Sequence, residues 1–218
     1  MGKPVALFRG RRTADQFPEW PAGFSCRPSF ATMSDAFKSL KGMLLLDGGK
    51  LGGSVFHRSV VLICQHDAQG AFGLVLNRPT DKKVGDVLLG DPPASLRERL
   101  LYLGGPVQTP ALSFLHADDF LPFGNVMDNL NLGHALDDLL ELGASFSGTQ
   151  QLKVFAGYAG WSAGQLEDEM KRAAWVTHPA SLDLVFHPDT ATLWSAILRQ
   201  KGWEFRLLAD SPEDLENN

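Results

Sequence analysis

The sequence predicts a single α+β domain. Its 218 residues fit one domain, and a hydrophobic content of 44% is enough for a sizeable core. The clearest element is a hairpin, because residues 60–66 and 71–77 are apolar runs separated by the short loop Asp67-Ala68-Gln69-Gly70. The other candidate strands and helices follow each other without regular strand–helix alternation. This irregular order favours an α+β fold over a doubly wound sheet.

The hairpin is expected at the centre of the sheet, because its first strand is apolar on both faces. It should end at Arg78-Pro79, since proline cannot donate to a sheet ladder. The other candidate strands are short apolar runs at residues 43–47, 101–103, 112–116, 152–156 and 182–186. Candidate helices cover residues 84–89, 134–142 and 189–200, and a further one follows Trp161. Asp189 is suited to cap the helix at 189–200, and Gly202 to terminate it.

The two ends of the chain differ from its middle. Residues 1–32 hold five basic and two acidic side chains together with several prolines, a composition typical of disorder. Residues 210–218 are acidic, as a solvated tail often is. We therefore expect a folded domain at residues 33–209, with a disordered extension before it and an acidic tail after it.

Composition also argues against several classes of function. With 20 basic and 25 acidic residues, the net charge of −5 is unlike that of a dedicated nucleic-acid binder. No apolar run approaches the roughly 20 residues of a membrane span. Cys26 and Cys64 form neither a disulfide framework nor a zinc site, and the histidines show no metal-ligand spacing. We expect a cytoplasmic protein without a metal or a cofactor.

The segment Gly160-Trp161-Ser162-Ala163-Gly164 matches the G-x-S-x-G nucleophile elbow of serine hydrolases. In that interpretation Ser162 is the nucleophile, and a downstream acid and histidine such as Asp183 and His187 complete the triad. The motif is short and matches often by chance, and few residues remain after it for the rest of a hydrolase.

The same segment also fits the start of a helix. Ser162 and Gln165 have the spacing of a capping box, and Trp161 and Leu166 occupy the two positions of a hydrophobic staple. Acidic residues in the next turn disfavour a phosphate site at this helix start. Because a cap accounts for more of the residues than an elbow does, we expect Ser162 to cap the helix.

Several motifs, taken in order, resemble those of the YqgE/AlgH family of bacterial proteins. They are Phe56-His57-Arg58-Ser59-Val60-Val61, Gly70-Ala71-Phe72-Gly73-Leu74-Val75-Leu76-Asn77-Arg78-Pro79, Gly104-Gly105-Pro106-Val107, Leu115-His116, and Gly157-Tyr158-Ala159-Gly160-Trp161 with Gly164-Gln165-Leu166-Glu167. The resemblance covers most of the chain, from about Leu40 to Leu207. The chain departs from the family in its N-terminal extension, its glycine-rich loop at 47–53, and Ser162, where the family often has glycine.

The resemblance implies a bifurcated mixed or antiparallel sheet that forms a pseudo-barrel with helices packed on it. It implies no reaction, because the family has no established biochemical activity. One member is named as a regulator of alginate production, so the resemblance implies the label of transcriptional regulator.

Candidate binding residues lie at strand ends, turns and helix starts, where binding groups concentrate. They are Asn77, Arg78, Gly105, His116, Tyr158, Gln165 and Glu169. The alternative for this set is a structural network of hydrogen bonds, since buried polar groups need partners regardless of function. His116 ends an apolar strand, which is more typical of a core histidine than of a metal ligand.

We expect a non-catalytic binding or regulatory module with an unidentified protein or small-molecule partner. Direct DNA binding and membrane binding are not expected. The alternative is a serine hydrolase that uses Ser162. A regulator that contacts DNA is the third class, and the acidic charge weighs against it.

Overall fold

A computed structural model describes residues 37–118, 123–145 and 150–212 of the chain. The predicted extension at residues 1–32 and most of the predicted acidic tail lie outside the described residues. Within the described part of the chain, no helix combines the length and the apolar character needed to cross a membrane.

The fold is α+β, as predicted, and it is built on one mixed sheet. Its nine strands are β1 (Met43–Asp47), β2 (Val60–Asp67), β3 (Gly70–Val75), β4 (Pro79–Lys83), β5 (Leu100–Leu103), β6 (Val107–Asp118), β7 (Leu130–Gly133), β8 (Gln150–Ser162) and β9 (Trp175–Pro179). In the part of the chain that the structure describes, six helices accompany them: α1 (Ala94–Arg97), α2 (Leu136–Ala144), α3 (Gln165–Lys171), α4 (Leu182–Val185), α5 (Leu193–Arg199) and α6 (Trp203–Asp210). The main strand order is β4-β5-β8-β3-β2-β1-β9, and among the described residues the sheet does not close.

The predicted hairpin of β2 and β3 lies at the centre of the sheet. The side chains of β2 alternate between two cores, with Leu62 and Cys64 in one and Val61 and Ile63 in the other. A strand that is apolar on both faces must be covered on both sides, and helices α3 and α5 provide that cover. The prediction of a strand buried on both faces is confirmed.

The sheet branches at β8. Residues 154–156 of β8 pair with β5 in parallel and with β6 in antiparallel fashion, whereas residues 159–162 pair with β3. β8 therefore belongs to both arms, and the bifurcated sheet implied by the resemblance is confirmed.

Glycines allow the strands to come together at this branch. The N–H of Gly104 donates to Ala156 O of β8 at 2.9 Å, and its carbonyl accepts from Val75 N of β3 at 2.8 Å. A Cβ atom at Gly104 would lie 2.3 Å from Gly157 O, and one at Gly105 would lie 2.2 Å from the Tyr158 carbonyl carbon. Gly157 has a φ of 70°, a conformation that favours glycine. The branch therefore requires glycine at these positions.

Several predicted elements differ from those observed. The apolar run at residues 182–186 predicts a strand, but these residues form helix α4, whose start is capped by the Ser181 side chain. A polar cap before a short apolar run favours a helix over a strand, and this signal outweighs the run itself. The helix expected at residues 84–89 is only a 3₁₀ turn at Val84–Asp86. Strands β4, β7 and β9 and helices α1 and α6 were not predicted.

Gly104→Ala should destabilise the protein strongly, because the added methyl group would meet backbone atoms rather than a movable side chain. We expect a loss of about 3 kcal/mol or more in the free energy of unfolding, measured by chemical denaturation. Gly52→Ala is the matched control, because Gly52 also has an ordinary φ but a Cβ atom added there would meet nothing within 4 Å. Equal stability of the two variants would contradict the close approach at the branch.

Candidate functional site

Asn77 and Arg78 lie after β3 and hold the segment that leads into β2. The Asn77 side chain accepts a hydrogen bond from Val60 N at 2.9 Å and donates one to Arg58 O at 2.9 Å. The Arg78 guanidinium donates to His57 O. Asn77 is also buried. These two predicted site residues therefore join the end of β3 to the segment before β2.

A buried carboxylate that sequence reasoning missed lies beside them. Asp47 ends β1 with no exposed surface, and its oxygens accept from the backbone N–H groups of Gly49, Leu51 and Arg58 at 2.9, 3.2 and 2.8 Å. His57 Nδ1 lies 3.6 Å from Asp47 Oδ2. The glycine-rich loop is thus organised around a negative charge, which would repel a phosphate group.

Gly105 and Tyr158 belong to the branch of the sheet, and His116 lies further along β6. Gly105 packs its backbone against the backbone of Tyr158. The Tyr158 ring lies 4.8 Å from the ring of Phe72, and burial raises the pKa of its hydroxyl. His116 is half-buried, with its ring 5.9 Å from that of Phe114. All three are placed by packing in the fold.

Glu169 attaches helix α3 to the sheet. Its Oε2 accepts from the indole N–H of Trp161 at 2.9 Å and from that of Trp175 at 2.7 Å. Its Oε1 accepts from the Gln165 amide at 3.1 Å. Phe56 packs against both indole rings. One carboxylate thus connects β8, β9 and α3, so a structural role accounts for Gln165 and Glu169.

Ser162 does not cap the helix in the way its spacing predicts. It is the last residue of β8, and the residue at the N-cap position is Gly164, with a φ of 76° and no side-chain cap. Gln165 Oε1 does accept from Ser162 N at 3.1 Å, which is one half of a capping box. The other half is absent because the Ser162 hydroxyl donates to the same Gln165 oxygen, at 3.2 Å.

The proposed partners of a Ser162 nucleophile are engaged elsewhere. His187 Nδ1 donates to Asp189 O at 2.9 Å, and His187 lines a cleft that does not include Ser162. Asp183 is exposed on α4. No observed contact joins Ser162, Asp183 and His187 among the described residues.

The cleft lies between β5, β8 and the segment that follows α4, and its volume is about 380 Å³. Its lining residues are Arg99, Leu100, Tyr102, Gln150, Gln151, Leu152, Lys153, Phe186, His187 and Pro188. None of the seven predicted site residues is among them. Arg99 and Lys153 are cations, and none of the described residues in the lining is an aspartate or a glutamate.

Lys153 is the most unusual residue of the cleft, with only 6% of its surface exposed. Its ammonium group donates to Leu76 O at 3.3 Å and Val185 O at 3.1 Å, and lies 4.4 Å from the centre of the Tyr102 ring. Burial lowers the pKa of Lys153 to about 8. The signal in the sequence was a single lysine inside the apolar run Leu152–Ala156.

Within the described residues, no group of three or more His, Cys, Asp or Glu side chains is arranged to hold a metal ion. The cleft is a place in the described structure where polar and charged side chains line a cavity of ligand size.

Glu169→Ala should destabilise the protein by about 3 kcal/mol, because it leaves two partly buried indole N–H groups without their charged acceptor. Asp168→Ala is the control on the same helix, since the pair with Lys171 is exposed to solvent and should contribute little to stability. Tryptophan fluorescence during urea unfolding measures both. Similar losses would contradict the anchoring role of Glu169.

Lys153 should make stability depend on pH in the alkaline range. Between its folded pKa of about 8 and its ordinary value of 10.5, the unfolded chain binds more protons than the folded chain. The free energy of unfolding should therefore rise with pH in this window, by up to about 3 kcal/mol. The measurement compares wild type with Lys153→Met from pH 7 to pH 10.5, and a difference that does not change with pH would contradict the shift.

The chain matches the AlgH-like family (DUF179) over residues 44–206. It is 36% identical to a UPF0301 protein of Chlorobium limicola over 185 residues, which cover 83% of this chain and 97% of the relative. Its fold resembles the solution structure of the AlgH protein from Pseudomonas aeruginosa, with a TM-score of 0.63, 30% identity, and coverage of 83% and 98% of the two chains.

A crystal structure of a protein from Corynebacterium diphtheriae is similar as well, with a TM-score of 0.65, 25% identity, and coverage of 78% and 91% of the two chains. The match to the family extends from β1 to α6 and includes the branch of the sheet, the Glu169 anchor and the cleft. The chain is therefore a member of the AlgH-like family.

Proposed function

We propose that the protein is a non-catalytic binding module and that its ligand is a small molecule bound in the cleft beside β8. The observation that carries this proposal is the cleft itself. Its volume of about 380 Å³ falls in the range typical of small-molecule sites, about 300–1,000 Å³. Its lining combines aromatic rings with amide and cationic groups, as such sites usually do.

The position of the cleft in the fold supports a site that is formed before the ligand arrives. Its floor includes residues 150–153 of β8, which pair with β6, and the next residues of the strand, 154–156, pair with both β5 and β6. Tyr102 lies on β5, which pairs with β8 in parallel. A rigid floor lowers the entropy that binding would otherwise cost.

Four of the site residues predicted from the sequence have structural partners and give no argument for catalysis. The framework of the fold takes up the hydrogen bonds of Asn77, Arg78, Gln165 and Glu169. The Ser162 hydroxyl donates to Gln165, and no observation favours the hydrolase over the binding module.

A regulatory role would then act through the bound ligand or through a protein partner. The acidic charge of the chain argues against a direct contact with duplex DNA. A cytoplasmic location belongs to the same proposal, and the buried free thiol of Cys64 is compatible with it.

The test is a screen of small metabolites by ligand-observed NMR on wild type and on Gln151→Trp. Gln151 is an exposed residue of β8 that lines the cleft, so a bulky ring there should obstruct the cavity without disturbing the core. We expect at least one compound to bind wild type and to lose about tenfold or more in affinity with Gln151→Trp.

Thr109→Trp provides the matched control, because Thr109 is an exposed residue of β6 outside the cleft lining. It should bind the same compounds as wild type does. Binding that is equally strong in both tryptophan variants, or the absence of any binding to wild type, would refute the cleft as the ligand site.

A further inference from the structure

We infer that the ligand of the cleft carries an anionic group, a carboxylate or a tetrahedral oxyanion, that pairs with Lys153 and takes up a proton on binding. This inference rests on the proposed function and names the chemistry of the ligand. It comes from two cations, Arg99 and Lys153, in the lining of a cavity to which the described residues contribute no acidic side chain.

Lys153 carries a buried ammonium group. A buried ammonium group is normally paired with a carboxylate, because the loss of water is otherwise uncompensated. Lys153 has two backbone carbonyls and the face of Tyr102 instead. These partners stabilise a cation only partly, so the position favours an additional negative charge from outside the chain.

Arg99 is a second cation in the lining of the cleft. Its Nη1 donates to the carbonyl of Leu152, the residue that precedes Lys153, at 3.1 Å. Its Nε donates to Ser95 O at 3.0 Å, which fixes the guanidinium in orientation. The guanidinium of Arg99, which is bound to the backbone of β8, therefore supplies a second positive charge to the cleft.

The groups around Lys153 and Arg99 determine the local charge of the cleft. Among the described residues, the titratable groups that line the cleft are Arg99, Tyr102, Lys153 and His187, with no aspartate or glutamate. The chain as a whole has 25 acidic and 20 basic side chains. The cleft is thus locally positive on an acidic protein, and such an arrangement concentrates anions.

The consequence is a coupling between binding and protonation. Burial holds the pKa of Lys153 near 8, so a fraction of the free protein carries neutral Lys153 at slightly alkaline pH. An anion next to Lys153 favours the protonated form and raises its pKa. Affinity should then be highest below pH 8 and should fall by about tenfold per pH unit above it.

Two probes whose charge is constant between pH 7 and pH 10 test this inference, namely succinate and inorganic sulfate. Isothermal titration of the full chain in buffers of different ionisation enthalpy measures both affinity and proton uptake. We expect at least one probe to bind wild type, with an uptake of about half a proton near pH 8. Succinate alone would identify a carboxylate ligand, sulfate alone a tetrahedral oxyanion, and both a general anion site.

Variants at position 153 separate recognition from a purely structural role. Lys153→Met should weaken probe binding by about tenfold or more, since it removes a charged donor. Lys153→Arg should still bind, but without proton uptake or alkaline weakening, because arginine stays charged in this range. Lys82→Met removes an exposed lysine outside the cleft lining and should behave like wild type.

The inference is overturned if neither probe binds, if Lys153→Met binds as wild type does, or if wild-type affinity is constant from pH 7 to pH 10. A neutral metabolite that Gln151→Trp excludes, together with no binding of either probe, would overturn the anionic ligand and leave the binding module in place. Loss of both kinds of binding would overturn both proposals.

Discussion

The close approach of backbones at the branch of the sheet is the constraint on which the rest of the structure depends. β8 pairs with β5 and β6 along one part of its length and with β3 along another, so strands converge where Gly104, Gly105 and Gly157 lie. Side chains larger than hydrogen would hold these backbones apart. Both arms, and the cleft beside β8, follow from that contact.

The polar groups of the domain serve two different purposes. One group of polar side chains forms hydrogen bonds with several segments at once and fixes loops and a helix to the sheet. Its members are Asp47, Asn77 and Glu169. Lys153 also donates hydrogen bonds to two separate parts of the chain, through Leu76 O and Val185 O. However, among the described residues of the cleft lining no acidic side chain balances its charge. In the proposed function, this unbalanced positive charge distinguishes the cleft, as the ligand site, from the framework.

Local patterns are enough to predict the α+β class, the central hairpin and helices α2 and α5, because periodicity and turn residues act over short distances. They fail where tertiary contacts decide. The apolar run at 182–186 forms a helix, and Ser162 stays in β8 while Gly164 begins α3. The lysine inside the apolar run 152–156 is visible in the sequence, but its place in a cleft with Arg99 and Tyr102 is not, because those residues are distant in sequence.

The central proposal is that the buried Lys153 pairs with a negatively charged group of the ligand. NMR titration of the Lys153 side chain, observed through its εCH₂ signals with and without a saturating anion, measures this most directly. The account predicts a pKa near 8 in the free protein, against an ordinary value of 10.5, and a clear rise when the anion is bound. An ordinary pKa in the free protein, or a pKa that the anion leaves unchanged, would contradict it.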